Sequence, residues 1–183
     1  AKRRNEPLVR ALGGDIMPVP LYASGGFSPN AAPGESAELA VKYIEAGYAG
    51  VKPRVNANSD DEAVLRAVRD AIGPETKLMA DANEKGNIET ASRLLAQAAE
   101  YGLDFIEEPL PSDDILGYRR LAAKGSGVAI ATGEHFQGLD RFVVCLEDGI
   151  AGVIQPDLAM AGGLTPCLEV ARIAAAKGVI VAP

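Results

Sequence analysis

The sequence predicts an α/β fold, a TIM-type (β/α) barrel that is incomplete in this chain, with about seven strands and six helices. Three observations lead there. Short apolar runs alternate strictly with amphipathic stretches, which calls for a parallel sheet. Four of those runs end on an acid, at Asp81, Glu107, Glu134 and Asp157, spaced by 26, 27 and 23 residues. An even rhythm suits strand ends surrounding one mouth, whereas a doubly wound sheet scatters them along an open edge. Finally, no Gly-x-Gly-x-x-Gly fingerprint follows the first strand.

Taken in order, Val19–Ala23 reads as the first strand, running into a Gly- and Pro-rich loop over 24–34. Ser36 is a plausible N-cap for a helix reaching Ala46, and Gly47 punctuates it. Residues 49–54 form a second strand carrying Lys52. Ser59 is placed to cap the next helix, with Glu62 as its capping-box partner and Ala63, Val64, Ala67, Val68 and Ala71 on the buried face. Gly73-Pro74 ends that helix. The unit then repeats: strand 77–81 and helix 87–100, with Ala91, Leu94, Leu95 and Ala98 buried; strand 104–107 and helix 115–124; strand 128–132 and helix 139–147; strand 150–155 and helix 164–177. Gly162-Gly163 reads first as the turn before the last helix. Val179–Ala182 begins a seventh strand. Seven strands leave the first and last edges unpaired, which barrel closure normally removes, so the chain is expected to be part of a longer protein.

Composition removes several classes of function. A net charge of −7 without any Lys/Arg–aromatic stripe gives no support to nucleic-acid binding, and Lys2-Arg3-Arg4 is a short solvated cluster. No apolar run approaches the roughly 20 residues that span a bilayer, and no signal-peptide core opens the chain. Two cysteines, Cys145 and Cys167, make no disulfide framework and read as packing residues, so a cytoplasmic setting is expected.

The chemistry gathers at the strand ends. Asp81, Glu107 and Glu134 end three consecutive strands and so lie side by side at the mouth. Three carboxylates there repel one another unless a cation sits between them, and an all-oxygen set with room for water suits Mg2+. The plainer alternative is that each acid caps the next helix. Glu108 adjoins Glu107; strand alternation turns one inward and one outward, and register favours Glu107. Lys52 ends the preceding strand, where it can hold a substrate oxygen or serve as an ordinary ion-pair partner. Arg54 points to the same side, toward substrate or a rim salt bridge. Asn83 is either a donor to substrate or a turn residue. His135, the only histidine, directly follows Glu134 and is either structural or functional. One histidine in that position completes no Ser-His-Asp or Cys-His constellation.

Lys52-Pro53-Arg54, Asp81-Ala82-Asn83, Ile106-Glu107-Glu108-Pro109, Gly133-Glu134-His135 and Gln155-Pro156-Asp157 with Gly162-Gly163-Leu164-Thr165 together resemble the enolase superfamily. The nearest group is the mandelate racemase type, and within it the acid-sugar dehydratases, including the rhamnonate type. The resemblance implies a barrel preceded by an α+β capping domain, with Asp81, Glu107 and Glu134 matching the Mg2+ ligands. Lys52 matches the first lysine of a Lys-x-Lys motif, and Asp157 the aspartate that pairs with a catalytic histidine. That histidine is expected directly after Pro183. His135 matches a position that can face the substrate.

By that resemblance the protein is expected to remove the proton α to a sugar-acid carboxylate and to eliminate the 3-hydroxyl. The expected partners are the sugar acid and further copies of the chain in a homo-oligomer. Arg54 departs from the pattern, since many members carry a lysine base there and arginine is a poor base at neutral pH. Dehydration is therefore favoured over racemisation, which needs a base on each face. The alternatives are an epimerase or lactonising enzyme of the same superfamily, a Schiff-base aldolase using Lys52, and a non-catalytic scaffold.

Overall fold

The structure, a computed structural model, describes residues 1–183. Its strands are β1 (Tyr22–Ala23), β2 (Gly50–Val51), β3 (Lys77–Leu78), β4 (Ala80–Asp81), β5 (Phe105–Glu107), β6 (Ala129–Thr132), β7 (Val153–Ile154) and β8 (Ile180–Val181). Its helices are α1 (Leu8–Ala11), α2 (Pro33–Glu45), α3 (Asp61–Ile72), α4 (Ile88–Glu100), α5 (Ile115–Lys124), α6 (Leu139–Glu147) and α7 (Leu164–Lys177). All pairings are parallel, in the order β1-β2-β3 and β4-β5-β6-β7-β8.

β3 and β4 are two halves of the one strand expected over 77–81. Met79 N–H donates to Val51 O at 3.0 Å, Asp81 N–H to Pro53 O at 3.0 Å, and Val55 N–H to Asp81 O at 2.9 Å. The ladder with β2 therefore continues past Leu78 to Asp81, and the two sheets are one surface of seven strands, part of a TIM-type barrel. β1 and β8 each have a single partner, as the open-edge expectation required. No helix is long and apolar enough to cross a membrane.

Strand alternation sorts the side chains into two layers. Leu78, Ala80, Ile106, Ile130 and Ile154 face the helices and join the main core with Leu65, Leu94, Leu95, Tyr118, Leu121 and Phe142. Met79, Phe105, Ala131 and Val153 form a separate buried cluster on the opposite face, backed by Tyr22 and Ala182. Tyr22 meets Phe105 edge-on at 6.1 Å. Each buried aliphatic side chain of this size stabilises the fold by about 1.5–3 kcal/mol. Two residues further along, the inner face carries Asp81, Glu107, Gly133 and Gln155. The polar layer thus rests on an apolar plug.

Helices α5, α6 and α7 begin and end where the sequence placed them, and α4 follows Asn87, whose side chain accepts from Glu89 N and Thr90 N at 3.0 Å. Its buried face is Ala91, Leu94, Leu95 and Ala98, as expected. Four local expectations are corrected. α2 starts at Pro33, so Ser36 is a buried residue inside the helix; Glu35 instead reaches back to Ala32 N at 3.1 Å. Ser59 caps nothing, and Glu62 bonds Gln97 and Tyr101 rather than closing a capping box. The loop before α3 is held by Asp61, which accepts from Asn56 N and Asn58 N at 2.8 Å each. On α3 the deeply buried residues are Leu65 and Val68, while Ala71 is exposed. The first strand shrinks to Tyr22–Ala23: Leu21 O still accepts from Ala49 N–H at 2.8 Å, but the side chains of Val19 and Leu21 are 72% and 62% exposed and bury nothing against the sheet.

Candidate active site at the strand ends

Register brings the polar residues together. Asp81 lies opposite Glu107 in the β4–β5 ladder, and Arg54 bridges to Asp81. Lys52 follows Val51 on the inward side and is 6% exposed; Asp81 and Glu107 are 3% and 1% exposed. Lys52 Nζ donates to Glu107 Oε2 in a buried ion pair and sits 5.4 Å from the centroid of the Tyr22 ring. Gln155 Nε2 donates to the same Glu107 oxygen at 2.6 Å.

Each proposed metal-binding acid has a nitrogen-bearing side chain nearby, though the one beside Glu134 is shared with Glu108 and Glu84. Glu107 has Lys52, Asp81 has Arg54 Nη2 at 3.5 Å, and Glu134 has His135 Nδ1 at 3.8 Å. Glu134 stands at the rim with a side chain 39% exposed, because Gly133, at a φ of 130°, turns the chain out of β6. A Cβ at Gly133 would lie 3.0 Å from Phe142 and 3.1 Å from Gln155 N, so only glycine fits that turn. The ligand atoms that come within 4.8 Å of one another belong to Glu84, Glu108 and His135; the Asp81–Glu107–Glu134 oxygens are spread more widely.

The acids nonetheless act on one another electrostatically. Burial raises the Asp81 carboxyl and Glu107 raises it further, against the opposing pull of Lys52 and Arg54. Glu134 is likewise raised, by burial first and then by Glu107 and Asp81. Burial works hardest against the Lys52 ammonium, but Glu107, with Tyr22 and Asp81 behind it, outweighs that penalty and the Lys52 pKa rises. Buried carboxylates that resist ionisation beside one another form a donor set that a divalent cation would relieve. The residues present fit such an ion.

Glu108 departs from the alternation expected of it. It is fully buried like its neighbour, because at a φ of 41° the chain leaves the strand conformation and swings the side chain beneath His135. Its two oxygens lie 2.7 and 3.0 Å from His135 Nδ1. Burial pushes Glu108 up to about 7 despite His135, with Glu134 and Glu84 adding to the push. The hydrogen bond to Glu108 leads the causes that raise His135. Glu84, at a φ of 64°, lies 4.0 Å from the same Nδ1 and accepts from Ser112 N at 2.5 Å. Three left-handed non-glycine residues, Asn83, Glu84 and Glu108, thus cluster at one mouth, a concentration of backbone strain characteristic of functional sites.

Asn83 itself turns the chain at a φ of 45°, and its N–H donates to Asp81 Oδ1 at 2.9 Å. Asp157 is exposed and accepts from Ala159 N and Met160 N at 2.8 Å each. Sequence reasoning assigned no role to Glu84, Glu108 or Gln155. Gln155 was within reach, standing two residues after Val153 in the same phase as Asp81 and Glu107. Glu84 and Glu108 depend on left-handed turns that no spacing rule announces.

Residues 35–183 match the family described as Enolase C-terminal domain-like, and the chain belongs to that family. Among curated proteins it is 34% identical to the L-talarate/galactarate dehydratase of Salmonella typhimurium over 100% of the chain and 46% of that protein. It is 35% identical to the L-rhamnonate dehydratase of Saccharopolyspora erythraea, with the same coverage of each. It is 32% identical to the D-galactarolactone cycloisomerase of Agrobacterium fabrum over 88% of the chain and 43% of that protein. The crystal structure of L-talarate dehydratase from Polaromonas sp. JS666, complexed with Mg and L-glucarate, superposes with a TM-score of 0.91 at 32% identity, covering 100% of this chain and 52% of that one. The chain spans about half the length of the relatives it matches.

Proposed function

We propose that the protein is a Mg2+-dependent hydro-lyase acting on a sugar acid. The observation that carries this reading is the set of carboxylates ending consecutive strands, two of them buried, with the Lys52 ammonium held among them. Asp81, Glu107 and Glu134 are assigned to hold the cation. The positive charge of a bound Mg2+ would oppose the negative charge that builds on a substrate carboxylate as its α proton leaves.

The chain's own residues supply the rest. Lys52, kept charged by Glu107, presents a second cation to the same substrate oxygens. Asp157 is assigned to orient the histidine base that the family pattern implies. Loss of the α proton leaves an electron pair that forms a C2–C3 double bond as the C3–O bond breaks and the hydroxyl departs, protonated, as water. The resulting enol tautomerises to a 2-keto-3-deoxy sugar acid. Arg54, Asn83 and His135 are assigned to the substrate's remaining oxygens.

Supplying galactarate, L-talarate, L-glucarate and L-rhamnonate to the whole protein and measuring 2-keto acid tests this. The expected result is keto acid with at least one of them, abolished by EDTA and restored by Mg2+. The similarity to a cycloisomerase favours one second reading, ring-opening isomerisation of a sugar lactone. Consumption of D-galactarolactone with no keto acid from any of the acids would establish that reading instead.

A further inference from the structure

We propose that Gln155 is a positioning residue for the cation site, fixing which oxygen of Glu107 is offered to the metal. The inference rests on the cation reading above and adds to it a residue outside the carboxylate set. Glu107 receives two buried donors, Lys52 Nζ and Gln155 Nε2, and both reach the same oxygen, Oε2. No donor of the chain bonds Oε1. The carboxylate is therefore pinned in rotation, with one oxygen saturated and the other free.

Gln155 is costly for a residue that only fills space. It is 5% exposed, and its Oε1 is buried without a hydrogen-bond partner. An apolar side chain would avoid that orphaned acceptor, as its neighbours Val153 and Ile154 do. The amide orientation is decided by Glu107 alone, since a flipped amide would aim its oxygen at a carboxylate. Its backbone is pinned as well: Gln155 N–H donates to Thr132 O at 3.0 Å, and the missing Cβ of Gly133 leaves room for β6 to lie against it. The side chain therefore reaches Glu107 from a fixed base, as a group that orients a ligand must.

The test is Mg2+ affinity, measured by calorimetry on the EDTA-treated and desalted whole protein, wild type beside Gln155→Met, Gln155→Asn and Glu107→Gln. Methionine keeps the length of glutamine and removes the donor. Asparagine keeps the amide but withdraws it by one methylene. Both are expected to weaken Mg2+ binding by about 10- to 100-fold with an unchanged far-UV circular dichroism spectrum. A wild-type dissociation constant in either folded variant, while Glu107→Gln loses binding, overturns the role of Gln155 and leaves the cation reading standing. Absence of Mg2+ binding by the wild type overturns the cation reading itself, and the role of Gln155 with it.

Discussion

Glu108 lies wholly buried beneath His135 and meets its Nδ1 with both oxygens, at 2.7 and 3.0 Å. The pair joins the ends of β5 and β6 and leaves Nε2 as the ring nitrogen unclaimed by the chain. Its environment makes a direct prediction. A carboxylate bonded to Nδ1 favours the imidazolium, so replacing it by a neutral amide withdraws that support. Glu108→Gln is expected to lower the His135 titration midpoint, read from the imidazole signals in an NMR pH series. An unchanged midpoint would mean that Glu84 and Glu134, not Glu108, support the imidazolium.

Asp81 and Glu134 give the metal-free protein an unusual pH dependence. Both have folded-state pKa values raised above the ordinary carboxylate range. A raised carboxyl group favours the fold when protonated, and that contribution is lost as pH rises through the folded value. In EDTA, Asp81→Asn is therefore expected to raise the melting temperature at pH 7 and to change it less near pH 4. Mg2+ should stabilise the wild type and leave the variant where it was. Melting curves across pH, with and without Mg2+, test both parts.

Lys52 and Glu107 form the buried ion pair of the site, with side chains 8% and 1% exposed. Removing one partner of such a pair strands the other charge, which costs about 3–5 kcal/mol. Lys52→Met is expected to lose stability of that order in urea and to lose turnover. The double variant Lys52→Met/Glu107→Gln should recover much of the stability and none of the activity.

Gly133 marks the turn that carries Glu134 out to the rim. A methyl there meets Phe142 and the Gln155 backbone in a conformation hostile to L-residues. Gly133→Ala is expected to cost about 1–3 kcal/mol in denaturant titrations and to weaken Mg2+ binding, since it displaces both Glu134 and Gln155. The Asn87→Ala cap variant, at the foot of α4, is the contrast: about 1 kcal/mol lost, with Mg2+ affinity intact.

Alternation of period two, the even spacing of strand-end acids and the apolar faces of the helices are local regularities, and they determined the barrel, its strand order and the inward placement of Lys52, Asp81 and Glu107. Helix starts were harder to locate, because Ser36 and Ser59 look like caps in isolation. Glu35, reaching back three residues, and Asp61, gathering loop N–H groups, do the work instead. Tertiary structure alone decided what the acids face. Whether Glu107 meets Lys52 and Gln155, 55 and 48 residues away in sequence, depends on ladder register and on the depth of the plug beneath them. Whether Glu108 turns outward or in beneath His135 depends on a single left-handed residue, a choice of backbone dihedral that leaves no periodic trace in the chain.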